Sequence, residues 1–104
     1  MEARRDLDEI WDYIVIDLQN ISAAERVTNG IIDAADRLED FAETGTPLSS
    51  IANVDSDYRF LVSGKYMIFY RIRGTDVYID RVLYGRRDYM RTLFGDTLET
   101  ETAE

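Results

Sequence analysis

The spacing of apolar residues changes once along the chain, from a helical period to an alternation of two, which divides it into a helical first half and a sheet-forming second half. In residues 3–19, Leu7, Ile10, Trp11, Ile14 and Leu18 recur every three or four positions, while Asp6, Asp8, Glu9, Asp12 and Asp17 fall mostly elsewhere. That pattern predicts an amphipathic helix with one buried stripe, on which Trp11 and Tyr13 read as core and the acids as a solvated face. Gln19-Asn20-Ile21 interrupts it, and Ser22-Ala23-Ala24-Glu25 has the spacing of a capping box. Ala24, Val27, Ile31, Ala34, Ala35, Leu38 and Phe41 then extend a second helix to about residue 42, with Gly30 placed to let the first helix approach closely. So short a connection folds the two helices back as an antiparallel hairpin.

Thr44-Gly45-Thr46-Pro47 ends the second helix, and residues 48–57 read as a loop. Beyond it the period is two. Tyr58–Val62 is a short strand. In 65–73, Tyr66, Ile68, Tyr70 and Ile72 share one face, and Met67, Phe69, Arg71 and Arg73 the other. In 77–84, Val77, Ile79, Arg81 and Leu83 alternate with Tyr78, Asp80, Val82 and Tyr84. Ser63-Gly64 and Gly74-Thr75-Asp76 supply the turns of an antiparallel meander, and residues 88–94 suit a short helix. The expected architecture is α+β: a helical hairpin on an antiparallel sheet of three or more strands, closed by a C-terminal helix. Residues 1–95 form one domain, and the Thr/Glu-rich tail 96–104 reads as disordered.

Composition narrows the chemistry. The 104 residues contain neither cysteine nor histidine, which removes disulfides, thiolate or imidazole metal sites and the Ser-His-Asp triad. No metal or cofactor is expected. The N-terminus has no apolar signal-peptide core and no apolar run approaches a membrane span, so the chain reads as cytoplasmic and not membrane-bound. The net charge is −9, yet residues 58–95 hold eight Lys/Arg against three Asp. An acidic protein has gathered its guanidinium groups on the predicted sheet and its exit, where they suit phosphate or carboxylate recognition.

The ordered words Glu2-Ala3-x-x-Asp6-Leu7-x-x-Ile10-x-x-Tyr13-Ile14, Ala24-Glu25-Arg26, Gly45-x-Pro47-Leu48, Tyr58-Arg59, Gly64-Lys65-Tyr66-x-Ile68-Phe69-Tyr70-Arg71 and Arg81-Val82-Leu83-Tyr84-Gly85-Arg86-Arg87-Asp88 resemble the RelE/ParE superfamily of bacterial toxins. The long hairpin and the Gly-Arg-Arg-Asp ending look more like the ParE branch. Members usually begin with a short strand, and here Met1 directly precedes the helix start; a missing outer strand would leave a sheet edge unpaired, open to a partner or a second copy.

The resemblance implies the toxin of a type II toxin–antitoxin (plasmid-stabilisation) module. Its cognate antitoxin would lie over the hairpin groove and sheet edge, its target would be DNA gyrase, and it would assemble as a homodimer or a toxin–antitoxin hetero-oligomer. On that reading Lys65, Arg86, Arg87 and Tyr89 contact the target. The enzymatic alternative is a ribosome-dependent mRNA endoribonuclease using Arg59, Arg71, Arg81 and Arg87 on the scissile phosphate. A third is a degenerate member that binds its antitoxin without toxicity. Two features weigh against RNA cleavage. Met67 stands where the ribonucleases' Gly-Tyr-Arg-Leu-Val-Tyr strand has its arginine, and Leu93-Phe94 occupies the region of their late tyrosine. A plain structural role is also open: Arg59, Arg71 and Arg81 would pair with Asp80, Asp57 or the acidic hairpin, and Tyr89 would pack in the core.

Overall fold

The computed structural model describes residues 2–51, 56–85 and 89–94. The tail 96–104, the pair Arg86-Arg87 and part of the 48–57 loop lie outside them. Helix α1 (Glu2–Asp12) runs into a π-helical turn (Tyr13–Asp17), and α2 (Ile21–Asp36) into a 3₁₀ turn (Arg37–Glu39). A second 3₁₀ turn (Ala42–Thr44) leads to β1 (Thr46–Pro47), and a third (Leu48–Ser50) follows it. The meander β2 (Arg59–Ser63), β3 (Tyr66–Arg73) and β4 (Asp76–Tyr84) precedes α3 (Tyr89–Phe94). The four strands lie antiparallel in the order β1-β2-β3-β4. This is the expected α+β architecture, with one short strand added at the β2 edge.

The hairpin packs as its spacing predicts, with adjustments at both ends. Ala3 and Ile10 of α1 and Ile14 of the π-turn meet Ala24, Ile31 and Ala34 of α2 over Ile68 and Val82 of the sheet. The N-cap of α2 is Asn20, not Ser22: its Oδ1 accepts the Ala23 amide at 2.9 Å. A π-turn adds a residue to its helical circuit and so rotates everything after it. Leu18, due on the buried stripe, is therefore 56% exposed. Tyr13, expected in the core, opens the turn beside the stripe and is 51% exposed. Gly30 serves the sheet instead of α1, since a Cβ there would stand 3.3 Å from the Ser63 hydroxyl. α2 also stops short of residue 42. Once Leu38 is buried, the chain tightens into 3₁₀ turns, which leaves Phe41 65% exposed.

The sheet buries both faces. Opposite the hairpin, Leu48, Phe60, Met67, Phe69 and Leu83 form a second core, covered by Tyr58 and by Tyr89, Leu93 and Phe94 around α3. Gly64 and Gly74 occupy the first positions of the two hairpin turns at φ of 60° and 63°, where glycine alone is unstrained. On β4 the regular alternation fails. Phe69 faces Arg81 and Tyr70 faces Ile79, so Asp80 is an extra residue, a β-bulge. Faces exchange beyond it: Ile79 and Val82 both pack against the hairpin, while Leu83 joins the opposite core.

Candidate functional site

β4 is the outer strand of the sheet, and α1 lies across it. The joint is Asp6, the buried polar residue of α1, 5% exposed. Its position three residues after Ala3 and four before Ile10 places it on the apolar stripe. The carboxylate accepts Arg81 Nε at 2.8 Å and Nη2 at 2.9 Å, and Oδ2 also accepts the Val82 amide at 2.9 Å. One side chain thus satisfies an edge-strand N–H and both prongs of a guanidinium. Glu2 adds a looser contact to Arg81 at 3.9 Å. The hydrogen bond to Asp6, opposed by desolvation, raises Arg81 above the ordinary arginine range, so it stays charged in its pocket. At Val82 the β4 edge is thus covered from within the hairpin.

The other sheet arginines are held separately. Arg71 Nε stands 2.7 Å from Asp80 Oδ2, and its guanidinium carbon lies 5.3 Å from the Tyr58 ring centre. The bulge turns Asp80 to meet it. Contact with that carboxylate raises Arg71, while Tyr58 is raised by burial and then by hydrogen bonding to Asp80. Arg73 pairs with Asp57 at 2.6 Å. Arg59 Nη1 donates to the Gly45 carbonyl at 2.8 Å and the Glu43 carbonyl at 3.4 Å. The cluster of Arg59, Arg71 and Arg81 foreseen from sequence is therefore three separate anchors, each with its own partner. Met67, 9% exposed, is packed among Phe60, Phe69 and Leu83 in the second core.

Of the target-contact candidates, Lys65 is exposed in the β2–β3 turn, where its carbonyl accepts the Gly85 amide at 2.8 Å. Tyr89 starts α3, and its ring stacks at 33° and 5.4 Å on Phe69. Packing accounts for that ring. Arg86 and Arg87 lie outside the described residues.

A groove of about 890 Å³ runs between the hairpin and the sheet end that carries the β2–β3 turn. Ile10, Ile14 and Val27 floor it, Arg26 and Lys65 lie on its rim, and Tyr13, Tyr66 and Tyr84 wall it. Tyr66 and Tyr84 meet edge to face at 5.7 Å. Tyr66 is raised above the usual phenol range by burial and by the neighbouring Tyr13 and Tyr84. A second groove of about 770 Å³ opens on the other flank of the hairpin, against Val77, Tyr78 and Ile79 of β4. Both are apolar clefts with polar rims, shaped for a chain segment more than for a reacting phosphate. Sequence reasoning missed the tyrosine wall because its members come from the π-turn, β3 and β4 and meet only in the fold. Among the described residues, no three His, Cys, Asp or Glu side chains gather to hold a metal ion, and no helix is long and apolar enough to cross a membrane.

The family model of the ParE toxin of type II toxin–antitoxin systems, parDE, matches residues 1–89. No curated protein matches the chain at a significant level. Among solved structures, a chain of the chromosomal ParDE toxin–antitoxin system from P. aeruginosa superposes with a TM-score of 0.66 at 24% identity, over 80% of this chain and 87% of that one. At that identity the likeness establishes a shared fold.

Proposed function

The chain belongs to the ParE toxin family of type II toxin–antitoxin systems, and from that membership we propose that it is a cytoplasmic toxin that inhibits DNA gyrase by protein contact. Its cognate antitoxin occupies the hairpin groove and the neighbouring sheet edge. The occupied state of Arg59, Arg71 and Arg81 carries this reading against RNA cleavage. Stabilising a phosphorane requires cations aimed at one point and free to receive charge. These three instead hold Gly45, Asp80 and Asp6. Met67 points the same way: a cation at its place would be buried among aromatic and aliphatic side chains without a carboxylate. The groove and its tyrosine wall supply the kind of surface that a partner segment covers.

The test pairs two assays on the purified full chain. With gyrase, ATP and relaxed plasmid, supercoiling is expected to fall as the chain is added, and stoichiometric antitoxin to restore it. With programmed ribosomes, message is expected to remain intact at the same concentrations. Message cut on the ribosome, with supercoiling unaffected, would reverse the assignment.

A further inference from the structure

The turn between α1 and α2 carries an apolar patch that extends beyond the hairpin groove: Tyr13 and Leu18 line the groove, and Ile16 and Ile21 continue the patch outside it. Tyr13, Ile16, Leu18 and Ile21 are 51%, 66%, 56% and 60% exposed. The π-turn rotates Leu18 off the buried stripe, beside Tyr13 at the groove's mouth. Four large apolar side chains within nine residues exceed the scattered single exposures normal for a soluble surface.

The charges around the patch say what can cover it. Between residues 9 and 26 stand Glu9, Asp12, Asp17 and Glu25, with Arg26 as the one cation. All four acids are exposed, and none forms an ion pair among the described residues. Arg26, like Lys65 of the sheet turn, lies on the rim of the groove. A second copy of the chain would set the same carboxylates against one another. An anionic lipid surface or a nucleic acid would be repelled likewise. A segment whose apolar ridge is flanked by Lys or Arg matches both the patch and its border.

We propose that the hairpin tip is the docking site of a basic amphipathic segment of the antitoxin, which enters the groove past Tyr13 and Leu18. This rests on the toxin–antitoxin reading above and adds the sign of the charge: an acidic toxin hairpin gripped by a basic antitoxin segment.

The test uses the full chain and the product of the short reading frame encoded beside it. The affinity of the complex is measured for the wild type, for Ile16→Ser with Leu18→Ser, and for Asp12→Lys with Asp17→Lys. All four positions are exposed, so thermal unfolding of the free variants checks that each remains folded. Each double variant is expected to bind at least about tenfold more weakly, and the wild-type complex to weaken as salt is added. Phe41→Ser, exposed past the opposite end of α2 from the tip, is expected to bind as wild type does. Wild-type complex with both double variants within twofold would overturn the proposal and leave the toxin–antitoxin reading standing. So would tighter binding by the lysine variant, which would mark the partner segment as acidic. No complex with wild type would overturn both.

Discussion

Asp6→Ala is expected to lower the free energy of unfolding by about 3–5 kcal/mol. The substitution leaves the guanidinium of Arg81 without its carboxylate and the Val82 amide without an acceptor. Arg81 retains partial access to solvent, which favours the lower end of that range. Asp6→Asn with Arg81→Gln is the informative companion. It keeps an oxygen for the Val82 amide and exchanges an ion pair for a neutral one, so it should recover much of the loss. Urea unfolding of the two variants beside wild type measures both. A loss under about 1 kcal/mol in Asp6→Ala would mean that α1 does not hold the β4 edge through this contact.

Gly45→Ala is the second large effect, at about 3 kcal/mol. An added Cβ would stand 2.7 Å from Cε1 of the fully buried Tyr70 and 2.9 Å from the Phe60 carbonyl oxygen. Neither neighbour can yield. Tyr70 is fixed at its far end, where its hydroxyl donates to the Ala42 carbonyl at 2.6 Å and accepts the Gly45 amide at 2.9 Å. Arg59 closes the clamp on the Gly45 carbonyl. The segment after α2 is thereby pinned to β2 and β3, and Leu48 is delivered into the second core. Gly45→Ala should lower the midpoint of thermal unfolding by many degrees. An unchanged midpoint would show that the clamp opens without cost.

Periodic features of the fold were legible in the sequence. The stripes of α1 and α2, the three long strands and the glycine turns all follow from spacing and from residues with one dominant conformational preference. Features that depend on a single inserted residue were not. The π-turn at Tyr13–Asp17 and the bulge at Asp80 each shift the phase of everything beyond them, and no residue type announces either one. The alternation of β4 therefore misplaced Val82 and Leu83, and the helical stripe misplaced Leu18.

The candidate site divides along the same line. The pairing of Arg71 with Asp80 stood among the alternatives and follows from proximity of neighbouring strands; Asp57 stood among them too, but its partner is Arg73. Asp6 was visible in principle, because it sits on the apolar stripe of α1, where a carboxylate is expensive to bury without a cation. Its partner, 75 residues away, was not. Long-range pairs of this kind carry no local signal. They also bear most on the functional argument, since the Asp6–Arg81 pair gives a catalytic candidate a structural partner.

The charge division now has a structural meaning. Guanidinium groups of the sheet act mainly inward, on carbonyls and carboxylates that set loops and the β4 edge. Among the described residues most carboxylates of the hairpin form no ion pair and stand on its surface, beside the groove and the apolar tip. Among the described residues the acidic hairpin and its clefts offer surface to a partner, which suits action by protein contact.

The most direct test of that claim follows DNA and protein synthesis after induction of the intact chain, by pulse incorporation of labelled thymidine and methionine. Thymidine incorporation is expected to fall first, with double-strand breaks accumulating, while methionine incorporation persists until replication has stopped. Loss of methionine incorporation before thymidine, with messages cut at ribosome-bound codons, would contradict the account and return Arg59, Arg71 and Arg81 to catalysis.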